Sequence, residues 1–357
     1  MNNSDEFLKS EVRRVTEERK TNGMLGLVGD LQAIIINTEE DRLFPAVQEF
    51  LDYTGFRISD AFEDENFKTV VLSQPVSASI LIRSRKTGSN PFKRFNLNPK
   101  SSELPNTRLE TFVFLTTDID KYRKIQQMRD TQFMSNSITE MDNYKFIQTT
   151  PSELTGISVG VIEWTGEVKS FRTNNAVSIR CDLIKPERSY LEDIGFLDHT
   201  ASRVKAVDRD AAIIEFMELT NYKFEFAIHV KSFNSITSVT RLSDGGFAMV
   251  FTSGIEPFKN LEESGPTEKF IYNYGTRTHH LAFITENIEE TYRKLHEDGM
   301  EYLVELVGAP EQGLKQTFTV ASPNTFLVNE YIHRYGNFKG FFTRENVTVL
   351  TAATDIQ

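Results

Sequence analysis

The sequence predicts an α+β protein of two domains, each a pair of βαβββ modules curled into a half-open barrel. Two observations carry that expectation. The chain repeats itself at one offset, and each copy alternates strand and helix patterning in the same order. Its 357 residues are also enough for two ordinary domains.

Three segments of the first half recur in the second, in order, at an offset of 166 to 169 residues. Leu115-Thr116-Thr117-Asp118-Ile119-Asp120, running on to Lys124, returns as Ile284-Thr285-Glu286-Asn287-Ile288-Glu289, running on to Lys294. Ala33-Ile34-Ile35-Ile36-Asn37, a helix and Glu49 to Phe56 parallel Thr200 to Val207, a helix and Glu215 to Phe224. Val159-Gly160-Val161-Ile162-Glu163-Trp164 matches Phe326-Leu327-Val328-Asn329-Glu330-Tyr331.

The second half supplies the clearest elements. Apolar residues recur at helical spacing over 208–219 and 287–297, and strand-like runs fall near 199–206, 223–231, 236–242, 247–253, 279–285, 301–307, 315–321 and 325–333. Gly245-Gly246 reads as a tight hairpin turn. The expected organisation is a helical extension over 1–25, a metal-free domain over 26–190, a metal-binding domain over 191–345 and a tail over 346–357. Lys185-Pro186-Glu187 interrupts the strand pattern near the boundary.

Composition narrows the function. Hydrophobic residues make up 39% and charged residues 25%, as in soluble globular proteins. A net charge of -11 argues against nucleic acid or an anionic membrane as partner. The charged N-terminus lacks an apolar signal core, and no run approaches the ~18 apolar residues of a membrane span. A cytoplasmic protein is expected, with homo-oligomerisation left open. Cys181 is the single cysteine, so neither an intrachain disulfide nor a thiolate zinc site is available. The alternation from Val177 to Leu183 places it on a strand, as a structural residue.

Six histidines can be weighed one by one. His199 and His280 open the two modules of the second half, at equivalent places on paired strands. Glu330 lies on the last strand, where Phe326, Val328 and Ile332 alternate as on a half-buried strand. A carboxylate there is costly to bury without a cationic partner. Two imidazoles and one carboxylate suit non-haem iron(II) with open positions for substrate and O2. In the first half Thr111 matches His280, Gln32-Ala33 matches His199, and Glu163 is read as the counterpart of Glu330. His279 is expected on the opposite strand face from His280. His229, His296 and His333 read as exposed or structural, and Trp164 as core.

The second half resembles 4-hydroxyphenylpyruvate dioxygenase, of the vicinal-oxygen-chelate superfamily. Asp198-His199 followed by Val204 is similar to that family's first-ligand strand, and His280-Leu281-Ala282-Phe283-Ile284-Thr285 to its second. Gly313-Leu314-Lys315-Gln316-Thr317-Phe318-Thr319 resembles its substrate strand, and Asn329-Glu330-Tyr331-Ile332-His333-Arg334 its glutamate strand. Gly336-Asn337-Phe338-Lys339 resembles the end of its glycine-rich motif. The resemblance implies Fe(II) as cofactor and decarboxylative oxygenation of a small aromatic 2-oxo acid by O2. The simplest such reaction is 4-hydroxyphenylpyruvate to homogentisate; benzylic hydroxylation to 4-hydroxymandelate is the close variant. It also implies that Phe318 and Phe338 clamp the ring, with Gln316, Ser238 and Ser253 near the substrate.

Departures from the family concern the pocket. Its Pro and Asn after the hairpin stand here as Phe251 and Ser253, and its Gln before the second ligand is His279. Only 50 residues separate His280 from Glu330, and the glycine-rich loop before Gly336 is missing. Extradiol ring cleavage needs a further His and Tyr, for which this stretch offers only His296 with Tyr292 or Tyr302.

Overall fold

The computed structural model describes residues 3–336, 338 and 340–357. It begins with helix α1 (Asp5–Asn22), capped by Ser4 and closed by Gly23 at φ 81°. The first half follows as β1 (Val28–Thr38), α2 (Leu43–Tyr53), β2 (Arg57–Glu63), β3 (Phe67–Ser73), β4 (Ser79–Arg85), β5 (Arg108–Thr116), α3 (Ile119–Gln127), β6 (Thr139–Glu140), β7 (Tyr144–Gln148), β8 (Ser158–Trp164) and β9 (Val177–Ser178). The second half runs β10 (Ile194–Arg203), α4 (Arg209–Leu219), β11 (Lys223–Val230), β12 (Ser235–Arg241), β13 (Ala248–Ser253), α5 (Pro266–Tyr274), β14 (Arg277–Thr285), α6 (Ile288–Glu297), β15 (Val307–Ala309), β16 (Leu314–Phe318), β17 (Val328–Arg334) and α7 (Arg344–Ala353).

Four βαβββ modules are therefore present, two in each half. The strands form a nine-stranded sheet, β6-β7-β8-β5-β1-β4-β3-β2-β9, and an eight-stranded one, β11-β12-β13-β10-β14-β17-β16-β15. In each sheet the opening strands of the two modules pair antiparallel, β1 with β5 and β10 with β14. One face of each sheet joins a core shared by the halves, in which Phe114 of β5 lies 5.3 Å from the ring of Tyr222 and 5.9 Å from that of Phe216. The other face curls around a smaller interior.

Symmetry-like contacts tie the halves together. Arg108 donates to Thr276 O at 2.8 Å, and Arg277, its equivalent, donates to Thr107 O at 2.7 Å. Both guanidiniums are fully buried, so each needs the carbonyl the other half provides. Arg19 of α1 similarly donates to Met217 O and Tyr222 O, seating the N-terminal helix on the second half.

Two expected strands are corrected. Only Val177 and Ser178 of the 177–183 run pair with the sheet, and Cys181 lies outside any strand, half-buried against the core. Alternation there had no continuous neighbour to bond, and Val177 and Ile184 are exposed. Of the 301–307 run, Tyr302 forms one isolated bridge to Thr319 and the ladder starts at Val307. Helices α5 and α7 carry no expectation from the sequence, yet both border the interior of the second half.

The pairing of β10 with β14 contains two irregularities that position the site. Leu197 pairs Phe283 and His199 pairs Ala282, so Asp198 is an extra residue; Ala201 pairs His280 and Ser202 pairs Thr278, so His279 is another. Such bulges break strict alternation of side chains. The β1–β5 pair has the same irregularities, leaving out Gln32 and Glu110.

Candidate metal centre

His199, His280 and Glu330 converge inside the second half. Cross-strand register brings them together, since β14 pairs β10 on one side and β17 on the other, with Ala282 opposite both His199 and Glu330. Nε2 of His199 and Nε2 of His280 each lie 3.2 Å from Glu330 Oε2, and all three side chains are buried. Metal–ligand bonds of about 2.1 Å set at right angles would place donors roughly 3 Å apart. The two imidazole–carboxylate separations match that spacing, and all three ligand atoms lie within 4.8 Å of one another, close enough to be shared by one ion. His199 Nε2 is buried without a hydrogen-bond partner, as a nitrogen reserved for a cation would be.

Outer partners fix each donor. Asp198, the bulged residue, lies 2.7 Å from His199 Nδ1, and Arg334 grips Asp198 through both Nη atoms at 2.7 and 2.9 Å. With Nδ1 protonated toward Asp198, Nε2 presents its lone pair. Burial opposes charging His199, but Glu330 and Asp198 outweigh it and push its pKa up to about 9, so the ring is cationic between the two carboxylates until a metal displaces the Nε2 proton. Burial, reinforced by neighbouring cationic groups, holds His279 and His280 well below the usual histidine range, so both are neutral.

His279 does not point away from His280. The bulge turns both rings into the cavity, with the two Nδ1 atoms 2.9 Å apart and His279 Nε2 2.8 Å from Gln357 Oε1. One proton per ring satisfies the chain: His280 Nδ1 donates to His279 Nδ1, and His279 Nε2 donates to Gln357. His280 Nε2 is then left free as a ligand.

Gln316 lines the cavity, but its amide serves the protein. Nε2 donates to Glu330 Oε1 at 2.5 Å, and Oε1 accepts from Asn346 Nδ2 at 3.0 Å. Gln316 therefore occupies one carboxylate oxygen and leaves Oε2 to face the histidines. Phe318 sits against the site, its ring 4.8 Å from that of His280. Phe338 instead packs beside Ala282, Leu314 and Ile332, outside the cavity; Phe342 takes the place by the metal donors, 5.1 Å from His199.

Ser238 and Ser253 lie on the wrong faces of their strands to meet a ligand. Ser238 accepts from Arg209 Nε at 3.0 Å on the helix side, and Ser253 donates to Gly254 O. Their neighbours Thr237 and Thr252, with Val250, face the cavity instead. A one-residue slip exchanges the faces.

The counterpart of Glu330 is also corrected. β5 pairs β8 as Thr111 with Ser158 and Val113 with Gly160, whereas β14 pairs β17 as His280 with Val328 and Ala282 with Glu330. The equivalent of Glu330 is thus Gly160, and the first-half positions are Ala33, Thr111 and Gly160. A Cβ on Gly160 would meet the Phe146 ring at 2.9 Å, so that ring occupies the space of the carboxylate. Glu163 turns elsewhere and accepts from Ile119 N at 2.8 Å.

The remaining histidines are structural. His333 binds Thr285 O, His296 binds Met300 O and His229 meets Asp5. Tyr292 and Tyr302 stack on one another, and neither borders the cavity. Helix α7 borders the cavity through Val347, Leu350 and Thr351.

Solved structures with this architecture include a mutant of 4-hydroxymandelate synthase from Streptomyces coelicolor, at 15% identity and TM-score 0.66, covering 92% of this chain and 99% of that one. The fold is that of the vicinal-oxygen-chelate proteins. A xylose isomerase-like TIM barrel/4-hydroxyphenylpyruvate dioxygenase fusion protein matches at 13% identity and TM-score 0.61, over 92% of this chain and 53% of the fusion. A Mn(II)-bound glyoxalase from Novosphingobium aromaticivorans matches at 11% identity and TM-score 0.51, over 87% and 83%. No family model and no curated protein matches the sequence. Within this vicinal-oxygen-chelate fold the donor set sits on the inner strands of the second half. No helix among the described residues is long and apolar enough to cross a membrane.

Proposed function

We propose that the second half binds one iron(II) through His199, His280 and Glu330, and that the protein is a dioxygenase of a small aromatic 2-oxo acid. The carrying observation is the pair of 3.2 Å separations from Glu330 Oε2 to two buried imidazole nitrogens. Bound there, iron(II) would make O2 reactive toward the substrate, which itself provides the four electrons, two through oxidative loss of its carboxyl group as CO2 and two through hydroxylation.

The chain's own residues bind, orient and exclude water. Asp198 and Arg334 hold the His199 ring, His279 Nδ1 accepts the hydrogen bond from His280 Nδ1–H, and Gln316 leaves Oε2 of Glu330 free. Phe318, Phe342 and Leu350 form an apolar wall against which an aromatic ring would lie. Helix α7 contributes Val347, Leu350 and Thr351 to the same cavity wall.

The test is aerobic incubation of iron-loaded protein with 4-hydroxyphenylpyruvate, following O2 uptake, CO2 release and product. Homogentisate is the expected product, and 4-hydroxymandelate would redirect the same chemistry to the benzylic carbon. Iron uptake without turnover of any aryl 2-oxo acid would refute the substrate class. Failure to take up any transition metal would refute the whole reading.

A smaller effect is expected for Asp198→Asn. Loss of the carboxylate behind a metal-ligating histidine lowers metal affinity roughly 10–100-fold. Anaerobic iron titration should show that loss, with the circular dichroism of the apoprotein unchanged; unaltered affinity would remove Asp198 from the metal's support.

A further inference from the structure

Arg203, at the end of β10, is 5% exposed and lines the same cavity as His280 and Glu330. Among the described residues it forms no ion pair. A guanidinium carries five N–H donors; this one makes a single hydrogen bond, to Pro266 O at 3.3 Å, and lies over the Phe270 ring at 4.4 Å. Glu268, the buried acid of α5, is committed to the backbone N–H groups of Ala206, Gly254 and Phe258. Burial lowers the Arg203 pKa to about 9, which leaves it cationic at neutral pH. A buried charge without a counter-ion is costly, and one facing a cavity is the mark of an anion that arrives from outside.

Position specifies which part of the ligand meets it. Arg203 lies four residues beyond His199 on the same face of β10, about 13 Å along the strand. Its side chain reaches α5, meeting Pro266 O and the face of the Phe270 ring. Ser235, Thr237, Thr252 and Thr267 bring hydroxyl groups to the cavity wall on the neighbouring strands and α5. The cavity thus carries a guanidinium and several hydroxyl groups in addition to His280 and Glu330.

We propose that Arg203 recognises a carboxylate on the ligand at the end remote from the metal, so that the substrate class is an aromatic 2-oxo acid carrying a second, distal carboxylate. This rests on the metal-chelating reading above. The hydroxyl-bearing side chains would complete the carboxylate's hydrogen bonds, and the guanidinium fork would fix its orientation.

The experiment compares two ligands with the same chelating head, 4-carboxyphenylpyruvate and phenylpyruvate, binding anaerobically to the iron(II)-loaded full chain, read from the visible absorption of the complex. The wild type should bind the carboxylated ligand roughly tenfold or more tightly. Arg203→Met should abolish the preference while iron affinity stays unchanged. Arg203→Lys, which keeps the charge and loses the fork, should retain part of it. Equal wild-type affinity for the two ligands overturns the assignment without need of any variant, as does a preference that survives Arg203→Met. Iron uptake with neither ligand binding overturns the 2-oxo acid reading and this proposal with it.

Discussion

Substituting His280 with alanine is expected to eliminate stoichiometric iron(II) binding, and with it all oxygen uptake. Its Nε2 is one of two imidazole nitrogens 3.2 Å from Glu330 Oε2, so truncation leaves two donors where three converge. The loss should exceed the roughly 100-fold that removal of an outer partner costs. Thermal unfolding gives a second readout. Iron at a hundred times its dissociation constant should stabilise the wild type by about 2.7 kcal/mol, and His280→Ala by nothing measurable. Glu163→Gln is the matched control, because Glu163 caps Ile119 and stands on the metal-free half. Wild-type iron affinity in His280→Ala would remove this histidine from the site. Equally impaired affinity in Glu163→Gln would mean that the loss in His280→Ala is not specific to the second half.

The second large effect is structural. Phe114 is completely buried, and its ring meets Phe216 of α4 and Tyr222 ahead of β11 edge-on. It therefore joins the first sheet to the helix layer of the second half. Phe114→Ala should cost about 3–5 kcal/mol, from lost burial together with a cavity between rigid neighbours. Urea unfolding of the apoprotein measures this, with Phe114→Leu as a milder control that keeps most of the volume. A cost below about 1 kcal/mol would mean that the halves are not mechanically joined at this point. If the joint matters for the site, Phe114→Ala should also release the metal at lower denaturant than the wild type does.

Much of this was legible in the residues alone. Both helical stretches of the second half, at 208–219 and 287–297, coincide with α4 and α6 to within a residue, because a 3.6-residue apolar period is a local signal. The strands flanking the hairpin at Gly245-Gly246 were equally readable. The three convergent donors followed from equivalent positions in a repeat, without any knowledge of distance. Pocket residues were harder. Ser238 and Ser253 are each one residue from Thr237 and Thr252, and nothing local says which of two adjacent hydroxyls faces inward. Arg203 gave no signal, since a lone arginine on a strand becomes informative only when every nearby acid is seen to be engaged elsewhere.

The sequence by itself determined the four modules, their order and which three side chains to look for together, because periodicity and repetition reside in the chain. Tertiary structure decided the register. The extra residues Asp198 and His279 exist only in the pairing of β10 with β14, strands about 80 residues apart, and they set which side chains share a face. The same long-range pairing made Gly160, rather than Glu163, the counterpart of Glu330. It also brought α5 and α7 against the cavity, whose wall includes Arg203, a guanidinium with no ion pair among the described residues. Those contacts depend on where distant segments come to rest, which no local pattern encodes.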